Sequence, residues 1–239
     1  MNKTQNGITI LDHDAGVLVY SYEFAPGASS NMFVARMADG KLMVVSPSSR
    51  TPDPVFEDLL AYGDIGALVA NNGFHHLGQA EWKARFPEAR CFAPAEGWAR
   101  IKKKNPAAPS FEPLTALAEL LGPDLFVGEC EATKCGESWA WVKTEAGYIW
   151  YLSDLLANMQ ALPSNFLVRM MMKLTKSAPG YKVFHGAQMF ILRDKKGAMR
   201  RLLEEMQAHP PAIVVPAHGP PLAHPELAED TYALLREVI

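Results

Sequence analysis

The chain has 239 residues, 49% of them hydrophobic, and its 23 basic against 26 acidic residues leave a formal net charge of -3. A chain of this size can bury about 70% or more of its unfolded surface, enough to fold without disulfide or metal staples. The mild charge offers no footprint for nucleic acid or anionic lipid: the one basic run, Lys102 to Lys104, reads as a solvated helix end. No stretch approaches the ~20 apolar residues of a membrane span, and the N-terminus lacks the apolar run of a signal peptide. Cys91, Cys130 and Cys135 form an odd, sparse set that suits a reducing compartment better than a disulfide framework or a thiolate zinc site. The expectation is a cytoplasmic protein that engages neither nucleic acid nor membrane.

In chain order, GITIL and GVLVYSYEF carry β-branched and aromatic residues, and NMFVARM and KLMVVSP flank the turn dipeptide Asp39-Gly40 as hairpin strands would. TPDPVFEDLLAYGD reads as a helix, with Thr51 or Asp53 as cap, Pro54 in the first turn and Gly63 as stop. IGALVA is a short buried strand that runs directly into His75-His76. QAEWKARFP is helical in spacing and ends at Pro87, ARCFAP is the next parallel strand, and AEGWARIKKK is a charged helix. Residues 105–123 read as a proline-rich excursion too apolar for a linker. Then DLFVGECEA, ESWAWVKTEAGYIWYLSD and AIVVPAHG supply strands, framing helices near 155–175, 194–208 and 225–238. Two strand-rich halves with peripheral helices, and no repeat, point to one domain over residues 1–239 built as a sandwich of two sheets.

Four residues at predicted strand ends can bind metal: His75 and His76 after IGALVA, Asp154 after YIWYLS, and His218 after AIVVPA. Loops beyond strand ends are where rigid scaffolds hold functional groups, and three imidazoles with one carboxylate suit a divalent transition metal. Each also has a plainer reading. Asp154 would cap a helix starting at LLANMQ, His218 would be one residue of a Gly-Pro turn, and His75-His76 an exposed pair.

The order of these elements resembles the metallo-β-lactamase-fold superfamily over about residues 7–225: LMVVSP before the first helix, IGALVA before the metal loop, YIWYLSD before a bridging aspartate and IVVPAHG at the last metal histidine. The stretch NNGFHHLGQAEWKARFPEARCFAP looks like a poorly characterised subgroup in which FHH stands where active members carry His-x-His-x-Asp-His. The resemblance implies an α/β fold, a four-layer αββα sandwich. It puts His76 at the motif's last histidine, His75 at its aspartate, and Asn71 and Gly73 at its first two histidines. The turn histidine of the family falls near Thr133 or Lys134, where none exists. One site of a binuclear centre is thereby lost, and the other keeps His75, His76, Asp154 and His218.

The resulting expectation is a metal-dependent hydrolase with a mononuclear site, one divalent ion, zinc favoured over iron, and Asp154 and His75 as catalytic residues acting on a small-molecule ester, amide or phosphoester. Asn71 and Asn72 are candidate amide donors to a substrate oxygen or to a ligand carboxylate, and Lys134 is a candidate partner for a substrate anion. The alternative is a catalytically inactive scaffold of the same fold that binds a ligand or a protein, with the methionine-rich residues 159–190 over the old site. A homodimer through FLVRMMMKL is a further alternative.

Overall fold

The computed structural model describes residues 1–239. Strands β1 (Asn2–Lys3), β2 (Ile8–Asp12), β3 (Val17–Ala25), β4 (Ala28–Arg36), β5 (Leu42–Val45), β6 (Ile65–Val69) and β7 (Arg90–Phe92) form one sheet in sequence order. Pairing is antiparallel as far as β5 and parallel from β5 to β7. That switch requires crossovers, which α1 (Asp53–Leu60) and α2 (Gln79–Arg85) supply. Next come α3 (Ala95–Lys104), α4 (Leu114–Leu121), β8 (Leu125–Glu129), β9 (Ser138–Thr144), β10 (Gly147–Tyr151), β11 (Leu156–Met159), α5 (Phe166–Leu174), β12 (Gly180–Val183), α6 (His185–Ile191), α7 (Lys195–Ala208), β13 (Pro211–Val215) and α8 (Leu227–Arg236). Four of these strands make a second sheet ordered β13-β10-β9-β8, and β11 and β12 form a separate ribbon.

Side-chain alternation decides what each sheet face meets. In β4, Phe33 and Ala35 enter the core between the sheets, while Met32 and Val34 turn outward beneath Val55, Phe56 and Leu59 of α1 and Trp82 of α2. The second sheet sends Ala140, Val142, Ile149 and Tyr151 inward, and Trp139, Trp141 and Trp150 outward against Met199, Leu202 and Met206 of α7 and Leu235 of α8. Helix, sheet, sheet, helix is the four-layer arrangement. β6 is apolar almost throughout because both of its faces are covered.

Three expectations differ from the structure. Residues 155–175 are not one helix: Leu156 to Met159 pair with Gly180 to Val183, and the helix starts only after Asn165, whose Oδ1 accepts from the amides of Leu167 and Val168. Asp154 therefore caps no helix. Residues 105–123 hold α4, whose Leu114, Leu117 and Leu121 pack into the inter-sheet core. α1 takes Pro52 as its cap rather than Thr51 or Asp53. On α5, Phe166, Leu167, Met170 and Leu174 stay exposed. No helix is long and apolar enough to cross a membrane.

All three cysteines are free and buried, Cys91 under α2 and the other two in the core below the second sheet. Burial pushes the Cys91 thiol up to about 11 and raises Cys130 and Cys135 as well. The thiolate is the reactive form. A thiol reagent at pH 8 is thus expected to leave the native protein essentially unlabelled, and to find three thiols after unfolding in guanidinium.

Candidate metal centre

The loops after β6, β10 and β13 converge at one edge of the sandwich. His75, Asp154 and His218 offer ligand atoms that all lie within 4.8 Å of one another. His75 Nε2 is 3.2 Å from Asp154 Oδ2, and His218 Nε2 is 3.2 Å from Asp154 Oδ1. The side chains are 7%, 6% and 17% exposed for His75, Asp154 and His218.

Each loop is held by buried polar groups. The fully buried Asn72 bends the β6 loop by accepting at Oδ1 from the amides of Phe74 (2.8 Å) and His75 (3.2 Å), an Asx turn that aims His75 inward. Its Nδ2 donates to Asp154 Oδ2 at 2.9 Å and to Glu137 Oε2 at 3.2 Å. Asn71 accepts from Ser46 Oγ and donates to Ser153 Oγ. Ser46 and Ser153 both take left-handed backbone conformations, φ 53° and 49°, at the ends of β5 and β10, and the Asn71 amide ties them together. Asn31 Nδ2 of β4 secures the loop after β13 by donating to the Pro216 and Gly219 carbonyls, and Asn158 of β11 does so by donating from its amide to the His218 carbonyl at 2.8 Å.

The other sequence-derived candidates lie as follows in the structure. Asn71 and Asn72 are 0% exposed, so they face no substrate; of the two expected partners, Asn72 takes the ligand carboxylate, that of Asp154, and Asn71 the serines behind it. Lys134 donates from Nζ to the Met189 carbonyl at 2.7 Å and does not line the cavity. Of the histidine pair only His75 joins the cluster. The His76 ring is buried elsewhere with Nδ1 unpartnered, and its carbonyl accepts from Gln79 N and Asn105 Nδ2. Neighbouring side chains on a turn diverge, which separates the two rings. Burial lowers the pKa of His76.

Glu137 is the residue that sequence reasoning passed over. It lies just before β9, three residues beyond Lys134, and shares the Asn72 Nδ2 donor with Asp154. Complete burial, and secondarily the Asp154 charge, raise its pKa well above the usual carboxylate range. Asp154 is shifted oppositely. Its burial favours the neutral form, but the charge of His75 and the approach of both imidazoles outweigh that and hold it well below the usual range. His218 loses some basicity to burial, yet Asp154 and the Ser29 carbonyl raise it overall.

The donor set fits a divalent cation. His218 Nδ1 lies 2.7 Å from the Ser29 carbonyl, which can only accept, so Nδ1 carries a proton. In the neutral ring the Nε2 lone pair then faces Asp154 Oδ1, a buried oxygen with no aligned hydrogen-bond donor. Two electron-pair donors 3.2 Å apart need a proton or a cation between them. Ligands on a tetrahedral zinc sit about 3.4 Å from one another for bonds of ~2.1 Å, and both nitrogen-oxygen separations come close to that.

Above the cluster opens a cavity of about 280 Å³, lined mostly by apolar side chains. β3 gives it Tyr22 and Phe24, the β6 loop Phe74 and Leu77, and Phe184 with α6 gives Phe190 and Ile191. Part of the methionine-rich region thus does border the site, through α6. Burial pushes the Tyr22 hydroxyl up to about 12, so it stays protonated. Tyr22 and Phe184 carried no signal in the sequence, because an aromatic on a strand reads as core.

No family model matches this sequence, and no curated protein matches it. Solved structures do. DIM-1 metallo-β-lactamase superposes with a TM-score of 0.60 at 13% identity, covering 98% of this chain and 99% of its own. FIM-1 metallo-β-lactamase from Pseudomonas aeruginosa, in its mono-zinc form, gives 0.57 at 14%, covering 97% and 96%. A metallo-β-lactamase from Pontibacter korlensis gives 0.54 at 14%, covering 98% and 97%. Identities this low speak for architecture, and the architecture is shared along nearly the whole length. The chain has the metallo-β-lactamase fold, a four-layer αββα sandwich.

Proposed function

We propose that the protein is a metal-dependent hydrolase with a mononuclear centre, in which His75, Asp154 and His218 hold one divalent ion, zinc before iron, for attack on a small-molecule substrate. The observation that carries this reading is the convergence of those three side chains, with a carboxylate oxygen and a ring lone pair facing each other. A divalent ion there supplies Lewis-acid polarisation and a hydrolytic nucleophile near neutral pH. Two neutral imidazoles and one carboxylate leave such a centre with a net charge of about +1, which favours that chemistry. Asp154 orients the reacting groups rather than abstracting protons, since a carboxylate held so far below its usual range is a weak base. Ser29, through its carbonyl, fixes the His218 tautomer. Tyr22, protonated and facing the cavity, can donate a hydrogen bond to a substrate oxygen.

The test is metal content. Protein purified without chelator is expected to carry about one equivalent of zinc or iron, and Asp154→Ala or His218→Ala to lose it. A protein that contains no metal, takes up none, and keeps its thermal stability in EDTA overturns the reading. One observation favours a second: the raised pKa of His218 allows a proton to close the cluster. Such a protein would be a ligand-binding module on a hydrolase fold, and metal-free stability in EDTA is the result that would select it.

A further inference from the structure

The cavity says what kind of molecule the centre receives. Its polar groups, Asp154, His75, His218, Ser30 and Tyr22, are those of the centre and the strands beside it, and the remaining lining is apolar. No lysine or arginine lines it. The nearest sequence candidate, Lys134, is spent on the Met189 carbonyl, and Arg100 stacks over the outer ring of Phe74 at 3.7 Å from its centroid. Away from the centre itself, a carboxylate or phosphate lying against these walls would give up its hydration without gaining a charged partner.

The rim carries the complementary signal. Phe24, Phe74, Leu77 and Phe190, which all line the cavity, are nevertheless 38%, 38%, 47% and 57% exposed. Isolated exposed apolar residues need no explanation, but a ring of them around a pocket marks a site for an apolar ligand. The volume lies near the lower end of the usual range for small-molecule sites, roughly 300 to 1,000 Å³.

We infer that the site binds molecules with an uncharged, apolar acyl or aromatic group next to the polar bond that meets His75, Asp154 and His218, and discriminates against those that carry a carboxylate or phosphate on that group. This rests on the proposed function for the identity of the reacting bond, but not for binding.

Binding of a slowly hydrolysed amide series to the protein as purified tests it: acetanilide, butyranilide and hexananilide, with the para-carboxylate of each, followed by tryptophan fluorescence or calorimetry. Each methylene added to the neutral series should tighten binding about threefold to fourfold until the cavity is filled, and each carboxylate should bind at least about tenfold more weakly than its neutral partner. Phe190→Ser, at an exposed rim position, should flatten the chain-length dependence without altering thermal stability or metal content. Leu77→Lys, also exposed, should narrow the gap between neutral and charged probes. A flat series, equal or tighter binding of the carboxylates, or no binding of any probe overturns the inference. Binding in the expected order by a protein that carries no metal and hydrolyses no ester would uphold the ligand class and reject the hydrolase reading, so the two failures are distinguishable.

Discussion

Replacing Asn72 by aspartate is expected to lower the free energy of unfolding by about 3–5 kcal/mol at neutral pH, the scale of an uncompensated buried charge. The native amide is wholly buried, and its Nδ2 is the donor that sits between Asp154 Oδ2 and Glu137 Oε2. Aspartate keeps the shape and keeps the Oδ1 that accepts from Phe74 and His75. It turns the shared donor into a third acceptor among carboxyl groups. Asn72→Ala removes the donor without adding charge, and about 1–3 kcal/mol is expected for it. Urea unfolding of the two variants at one pH separates donor loss from charge gain. Equal losses would mean that the amide does not mediate between Asp154 and Glu137.

Gly219→Ala should cost at least about 3 kcal/mol, because two penalties coincide. The residue has φ +99°, and a Cβ there would stand 1.8 Å from the Asn158 carbonyl oxygen and 2.4 Å from its carbon. Backbone cannot swing aside as a side chain can. The same stretch of β11 donates the Asn158 amide to the His218 carbonyl, so relief of the clash must displace the histidine. For a chain of this length, 3 kcal/mol corresponds to a fall in Tm of about 6–12 °C. Gly7→Ala is the control. It shares a positive φ of +91° but meets nothing within 4 Å, so only backbone strain of roughly 1 kcal/mol should appear. Thermal unfolding and metal content of both variants check this, and similar losses at the two positions would show that Asn158 does not constrain the loop.

Strand identity and order were legible in the sequence because period-two alternation and turn dipeptides are local signals. Asp39-Gly40 between β4 and β5 is the clearest case. The element that misled was LLANMQ, apolar enough to continue as a helix. Its partner GYKV lies more than twenty residues away, and pairing across such a gap leaves no mark on the segment itself. The tetrad of candidate ligands was likewise half visible. Position at a strand end singled out His75, Asp154 and His218 correctly as neighbours in space, whereas the direction of the His76 ring depends on a turn conformation set by Asn72. Glu137 was missed because a glutamate in a polar loop normally faces water. Only its complete burial in the folded chain reveals that this one does not.

The sheet order has a consequence for the timing of maturation. Residues 75, 154 and 218 come from successive thirds of the polypeptide, and β13, which carries the last, docks in parallel beside β10 only after the β11–β12 ribbon and three helices have been laid down between them. Such distant pairings are slow to form. A nascent chain therefore exposes at most two of the three donors until the segment that bears β13 and His218 leaves the ribosome. Under the proposed function, any ion captured earlier would be loosely held and readily exchanged, and selection among ions would belong to the folded molecule alone.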